Sequence, residues 1–119
     1  MKTYKDLTVW QKSMDLVWEI YRITKKFPGE EVYGLTSQMR RAAVSIPSNI
    51  AEGSSHRSRK DYTKFVRIAF GSAAELETQI LIAKKLELAD EKDFNKAEGL
   101  LEEVLKMLNA LGKSLSTKS

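Results

Sequence analysis

Near the C-terminus, Phe94, Ala97, Leu101, Val104, Leu108, Leu111 and Leu115 recur at steps of three and four without a slip. That spacing is the period of an α-helix burying one face, and it leaves little room for any fold but a packed helical one. Nothing upstream competes with it. Two prolines and six glycines are the only strong punctuation in 119 residues, and no apolar/polar alternation of a strand is present. The first helix is expected from Asp6 or Thr8 to Lys26, with Thr8 and Gln11 at capping-box spacing and Phe27-Pro28-Gly29 as the stop. The second begins between Tyr33 and Ser37, with Thr36 as its cap, and ends near Gly53. Ser58 and Asp61 open a long third helix to about Leu88, and a fourth runs from Asp90 to near Gly112. Four helices with short links predict an all-α fold, an antiparallel up-and-down four-helix bundle. It forms one domain over 1–119, with a core over about 6–113 and a frayed tail at 114–119.

Composition removes several function classes. There is no cysteine and a single histidine, His56, so neither a disulfide framework nor a thiolate or histidine metal cluster can be built, and no cofactor is expected. The first residues lack the apolar run of a signal peptide, and no stretch approaches the ~18 apolar residues of a membrane span. A cytoplasmic protein without a membrane partner is the expectation.

Residues 38–53, from Gln38 to Gly53, place the pair Arg40-Arg41 before a run of small and apolar residues, with Pro47 inside an otherwise helical pattern. Pro47 removes a backbone donor and crowds the preceding turn, so the second helix should kink there or end. Ala42, Ala43, Ile46 and Ile50 pave the side opposite the arginines and permit close approach of another helix. Asn49 and Glu52, one turn apart, are expected to tie down the backbone freed by Pro47 or to touch a neighbouring subunit. Charge is concentrated in the same region. Residues 38–67 carry seven basic side chains (Arg40, Arg41, Arg57, Arg59, Lys60, Lys64 and Arg67) against Glu52 and Asp61, while the whole chain is only +4. Such an excess is either an electrostatic footprint for RNA or DNA, or a solvated turn. Tyr62 is the only aromatic residue inside the basic run apart from Phe65, which is expected in the core, so base stacking is weakly supported.

The first and third helices hold more apolar surface than one bundle buries. On helix one, Leu7, Trp10, Met14, Val17 and Tyr21 form one stripe, and Val9, Leu16, Ile20, Ile23 and Phe27 another. Together they span roughly 200°, against ~100° for a typical bundle helix. On helix three, Ile68, Phe70, Leu81 and Ile82 lie off the main line. Self-association hides such a surplus, with Val9, Leu16, Ile20, Ile23, Phe70 and Leu81 as the candidate oligomer interface. Mid-helix Gly71 is unfavourable by about 1 kcal/mol relative to alanine and is expected to permit a close helix–helix approach.

No catalytic constellation emerges. His56 sits in a turn whose serines, Ser54, Ser55 and Ser58, are read as caps rather than nucleophiles. Glu75 and Glu77, two apart on a helix, point to different sectors and cannot share a metal or a proton. Two functions remain open from the residues: a non-enzymatic module binding nucleic acid through the seven cations, or a protein-interaction scaffold. In the scaffold, the arginines would meet carboxylates such as Glu75, Glu77 and Glu87 of another subunit or partner.

A resemblance narrows this. The words Asp6-Leu7-Thr8-Val9-Trp10-Gln11-Lys12, Tyr33-Gly34-Leu35, Arg40 through Gly53, Phe65-Val66-Arg67-Ile68-Ala69, and Gly71-Ser72 followed by Glu75-Leu76-Glu77 resemble a known family. It is the four-helix bundle proteins encoded in intervening sequences of bacterial 23S rRNA genes, to which the accessory variability proteins of diversity-generating retroelements are similar. The likeness spans roughly residues 6–86 and departs from the family pattern at His56 and Asp61. It implies a homopentamer and, from the retroelement relatives, nucleic acid and a reverse transcriptase as partners.

Overall fold

The computed structural model describes residues 3–117, which form four helices: α1 Thr8–Thr24, α2 Leu35–Ser54, α3 Arg59–Lys85 and α4 Asn95–Thr117. Short 3-10 turns at Tyr4–Asp6, Gly29–Glu31 and Glu91–Phe94 lead into the chain or join helices. Each helix packs on its sequence neighbours and α4 returns to α1, which puts α1 and α3 on one diagonal of the bundle and α2 and α4 on the other. The molecule measures 46 × 24 × 22 Å. The long axis agrees with α3, whose 27 residues rise about 40 Å at 1.5 Å each.

The core is built from the predicted seams. Val66, Ala69, Ala73, Leu76, Ile80 and Ala83 come from α3, Phe94 from the 3-10 turn before α4, and Ala97, Leu101, Val104 and Leu108 from α4. From α2 come Met39, Ala42, Ala43, Ile46 and Ile50. On α1 the buried stripe is Val9, Leu16, Ile20 and Ile23, at 5%, 0%, 0% and 0% exposure. These four residues were the α1 part of the expected oligomer interface, and they cannot serve there because α2 and α4 already cover them. The outward stripe is instead Met14, Trp18 and Tyr21, with Trp18 at 65% exposure. The other two expected interface residues, Phe70 and Leu81, are exposed on α3, as are Ile68 and Ile82.

Several helix ends differ from expectation. Thr8 is the first residue of α1, not its cap; Thr3 and Asp6 form a capping box on the preceding turn. Gln11 donates its side-chain amide to the carbonyl of Lys5. Ser58 caps α3 as predicted, its hydroxyl accepting from the Asp61 amide at 3.0 Å. α2 does not end at Pro47 but continues through it to Ser54. Pro47 deprives the Ala43 carbonyl of its usual donor, and two residues on, Asn49 donates its side-chain amide to both the carbonyl and the hydroxyl of Ser45, at 2.8 and 2.9 Å. The Ser45 hydroxyl in turn bonds Ser72 of α3 at 2.8 Å, a polar clasp between the two helices. α4 passes Gly112 and continues to Thr117, with Leu115 buried, so the expected frayed tail is helical over 114–117; residues 118 and 119 lie outside the described residues.

The close approach of α2 and α3 is made at Gly53, not at Gly71. A Cβ on Gly53 would stand 2.8 Å from the Cβ of Phe65 and 3.1 Å from Cδ1 of Tyr62, whereas one on Gly71 would meet nothing within 4 Å.

Candidate nucleic-acid interface

Gly53 brings the last turn of α2 against the first turns of α3, and this contact aims the cations that follow. Lys60, Lys64 and Arg67 are spaced four and three apart, so they share one outward face of α3. They border a shallow concavity of about 490 Å³ together with Thr63 and Ile68. Arg57 and Arg59 stand exposed in the adjoining turn. None of these five makes an ion pair with a carboxylate among the described residues.

Several cations elsewhere are neutralised. Lys12 pairs with Glu103 at 2.9 Å, Lys26 with Asp93 at 2.8 Å, Lys84 with Glu98 at 3.1 Å and Lys106 with Glu102 at 3.1 Å. Glu19 is buried between Arg22 at 2.9 Å and Lys96 at 3.9 Å, and the Arg22 fork also donates to the carbonyl of Asp93. The Lys26 ammonium, hydrogen-bonded to Asp93, holds that carboxyl below its ordinary value. Paired charge therefore predominates along α1 and α4, and one gathering of unpaired positive charge lies where α2 turns into α3.

Arg40 and Arg41 are not part of that gathering. The Ser45–Ser72 bond and the Gly53–Phe65 contact fix the antiparallel register of α2 and α3. In that register Arg41 lies about nine residues, roughly 13 Å along the axis, from the level of Arg67. Arg40 is folded onto α1: its Nε donates to the Thr24 hydroxyl at 2.9 Å, and its guanidinium lies 4.5 Å from the centre of the Tyr21 ring. The seven predicted contact residues thus separate into five around the α2–α3 turn and two in the α1–α2 groove.

The aromatic residues at the turn are placed differently from expectation. Phe65 is half-buried, and the His56 imidazole stacks on it, with centroids 5.0 Å apart and planes inclined by 24°. Lys64 reaches over the same ring, 5.7 Å from its centroid. Tyr62 faces inward against Gly53, and burial pushes its phenol pKa up. The stacked His56–Phe65 pair was not legible in the sequence, because it needs the turn geometry that brings residues nine apart together. The His56 Nδ1 stands 3.8 Å from a carboxylate oxygen of Asp61. The nearby serines are used locally: Ser54 donates to Ala51, Ser55 to Glu52, and Ser58 caps α3. Among the described residues no three acidic or histidine side chains converge to hold a metal ion, and no helix is long and apolar enough to cross a membrane.

The model of the 23S rRNA-intervening sequence protein family matches residues 5–110. The chain belongs to that family. One solved relative is a protein of unknown function from the S23 ribosomal protein family of Bacteroides thetaiotaomicron VPI-5482. It superposes with a TM-score of 0.82 at 23% identity, covering 89% of this chain and 99% of its own. At that identity the likeness speaks for the fold. No curated protein matches the chain. For this member of the 23S rRNA intervening sequence family, the five cations around the α2–α3 turn stand without carboxylate partners among the described residues.

Proposed function

We propose that this protein is a non-enzymatic, homo-oligomeric module that holds nucleic-acid phosphates on the exposed basic face of α3 and the turn before it. The observation that carries this is the segregation of charge. Lys60, Lys64, Arg67, Arg57 and Arg59 lack carboxylate partners while most cations of α1 and α4 have them. Unpaired surface cations raise the local potential and recruit polyanions without reading sequence. His56 on Phe65 adds a small stacking surface at the same place. Self-association rests on the apolar stripe of Met14, Trp18 and Tyr21, with Phe70 and Leu81 on α3 as further apolar surface. Copies of a modest basic face held in one assembly bind with avidity that a single face lacks.

The test is anisotropy of a labelled single-stranded RNA titrated with protein at several salt concentrations. Replacing Lys60, Lys64 and Arg67 together by alanine should lower affinity and reduce the slope of log K against log salt by about 2, at ~0.7 per lost phosphate contact. An unchanged slope overturns the reading. The scaffold alternative makes the opposite forecast for the same variant: unchanged RNA affinity and a fall in scattering mass. For the assembly itself, a light-scattering mass equal to one chain at micromolar concentration refutes self-association.

A further inference from the structure

The groove between α1 and α2, about 780 Å³, gathers positive charge. Lys25, Arg40 and Arg41 line it, and no carboxylate does among the described residues. Arg40 is anchored through Nε and the Tyr21 ring, which leaves both of its Nη groups without a protein acceptor among the described residues. Arg41 has no ion pair there either.

The floor of the groove is the start of α2. This 20-residue helix has Gly34 at its cap, no side-chain cap bond and no acidic residue in its first turn. Glu31 is engaged by the Leu35 amide at 3.3 Å. The amides of Thr36 and Ser37 have no intrahelical acceptor, and they present the positive end of the helix dipole. The expected cap, Thr36, does not cap. Thr36 lines the groove at 5% exposure, and its hydroxyl is buried without a hydrogen-bond partner among the described residues. A buried hydroxyl left unmade is unfavourable by about 1–3 kcal/mol, so an orphan hydroxyl beside the two unengaged amides of the first α2 turn, in one cationic groove, calls for an acceptor. Val32 and Val44 give the groove exposed apolar walls.

The geometry points to a binding site for a phosphate monoester carrying an organic body. The phosphate sits at the α2 N-terminus among Thr36, Lys25, Arg40 and Arg41, and the body lies along Val32 and Val44. Three cations and a helix end match a dianion better than the single charge of a carboxylate, and guanidinium forks fit its oxygens. A free nucleotide and the 5′ end of a nucleic-acid strand offer this same chemistry. The site is separate from the α3 basic face, so either can fail alone.

The experiment titrates the full chain with adenosine 5′-monophosphate, adenosine, and a short oligonucleotide bearing either a 5′-phosphate or a 5′-hydroxyl, followed calorimetrically. Saturable binding of the monophosphate, none of adenosine, and a loss of about tenfold in Arg41→Ala and in Lys25→Ala support the site; each tenfold is 1.4 kcal/mol. Both residues are exposed, so these variants fold. Thr36→Val should weaken binding as well while leaving the helix intact. The triple alanine variant of Lys60, Lys64 and Arg67 should bind the monophosphate unchanged. Equal affinity for the monophosphate and the 5′-phosphorylated strand identifies the free nucleotide as a sufficient ligand, and binding of the phosphorylated strand alone identifies the strand end; both uphold the phosphate site. Equal binding of the two oligonucleotides without monophosphate binding, or monophosphate binding indifferent to Arg41→Ala and Lys25→Ala, overturns it.

Discussion

Replacing Gly53 and Gly71 by alanine, one at a time, should move stability in opposite directions. Both glycines lie inside helices and neither has a positive φ, so alanine is allowed by the backbone at each. By helix propensity alone, each replacement should stabilise by about 1 kcal/mol. At Gly71 nothing opposes that gain, because the new methyl meets no atom within 4 Å and points to solvent. At Gly53 the methyl would stand 2.8 Å from the Cβ of Phe65, 3.1 Å from Tyr62 Cδ1 and 3.3 Å from the Tyr62 carbonyl oxygen. A Cβ and a backbone oxygen are not the free ends of flexible chains, so α2 and α3 must part at this crossing. Overpacking of this kind costs typically 1–3 kcal/mol, which offsets or outweighs the propensity gain and leaves Gly53→Ala up to about 2 kcal/mol less stable than the parent. Urea unfolding followed by far-UV circular dichroism reads both values, and thermal melts should separate the two variants by roughly 4–12 °C. Because Phe65 carries the His56 stack, Gly53→Ala should also weaken RNA binding. If Gly53→Ala proves as stable as Gly71→Ala, the close approach of α2 and α3 is not what glycine provides there.

Other perturbations follow from the same contacts. Leu16→Ala, which empties a fully buried site, should lose about 2–5 kcal/mol in urea unfolding, whereas Trp18→Ala, on the exposed stripe, should keep protomer stability and lower the light-scattering mass. Glu87 holds φ 54° at the end of α3, where the Leu88 amide reaches back to Ala83 and the Glu87 amide to Lys84. Glycine suits that left-handed position, so Glu87→Gly should raise stability by about 0.5–1 kcal/mol in the same assay. The carboxyl of Asp93 is held below its ordinary pKa by Lys26, so its contribution is present above the ordinary carboxylate range and lost as pH falls through the lowered value. Melting temperatures of the parent and Asp93→Asn should therefore differ at neutral pH and converge in acid.

The four helices were legible because the apolar period of α3 and α4 has one reading. α1 was harder for a physical reason. Its two apolar stripes are both wide enough to face a core, and which one is buried depends on where α2 and α4 sit, which α1 does not encode. A local signal does separate them. Ser13 and Thr24 are buried within the Leu16–Ile20–Ile23 sector, where their hydroxyls bond back to the helix at Trp10 and Ile20 and where close-packed neighbours want small side chains. Trp10, Met14, Trp18 and Tyr21, large and partly polar, suit the rim. Arg40 was grouped with the other cations because adjacency in sequence was all there was to judge by, and its stack on Tyr21 depends on the α1–α2 register. α2 does end one residue past Gly53, as expected, but the contact of Gly53 with Tyr62 and Phe65, nine and twelve residues further on, depends on how α2 and α3 cross.

The placement of the two surfaces bears on whether they can serve together. α1 and α3 occupy one diagonal of the bundle, so the stripe of Met14 and Trp18 and the row of Lys60, Lys64 and Arg67 face away from each other. Docking of copies through α1 alone leaves the cations open to solvent and to a polyanion. Docking of α1 against the apolar flank of α3 at Phe70 and Leu81 is heterologous, and a heterologous contact propagates until it closes into a ring or extends without end. Arg67 neighbours Phe70 in the cleft between α3 and α4, so the second arrangement brings the basic row to the rim of the contact. The two arrangements then differ in a measurable way. If α1 docks on α3, Phe70→Ala and Trp18→Ala should reduce scattering mass to a similar extent, and RNA affinity should fall with the mass. If α1 docks on α1, Phe70→Ala should leave both unchanged.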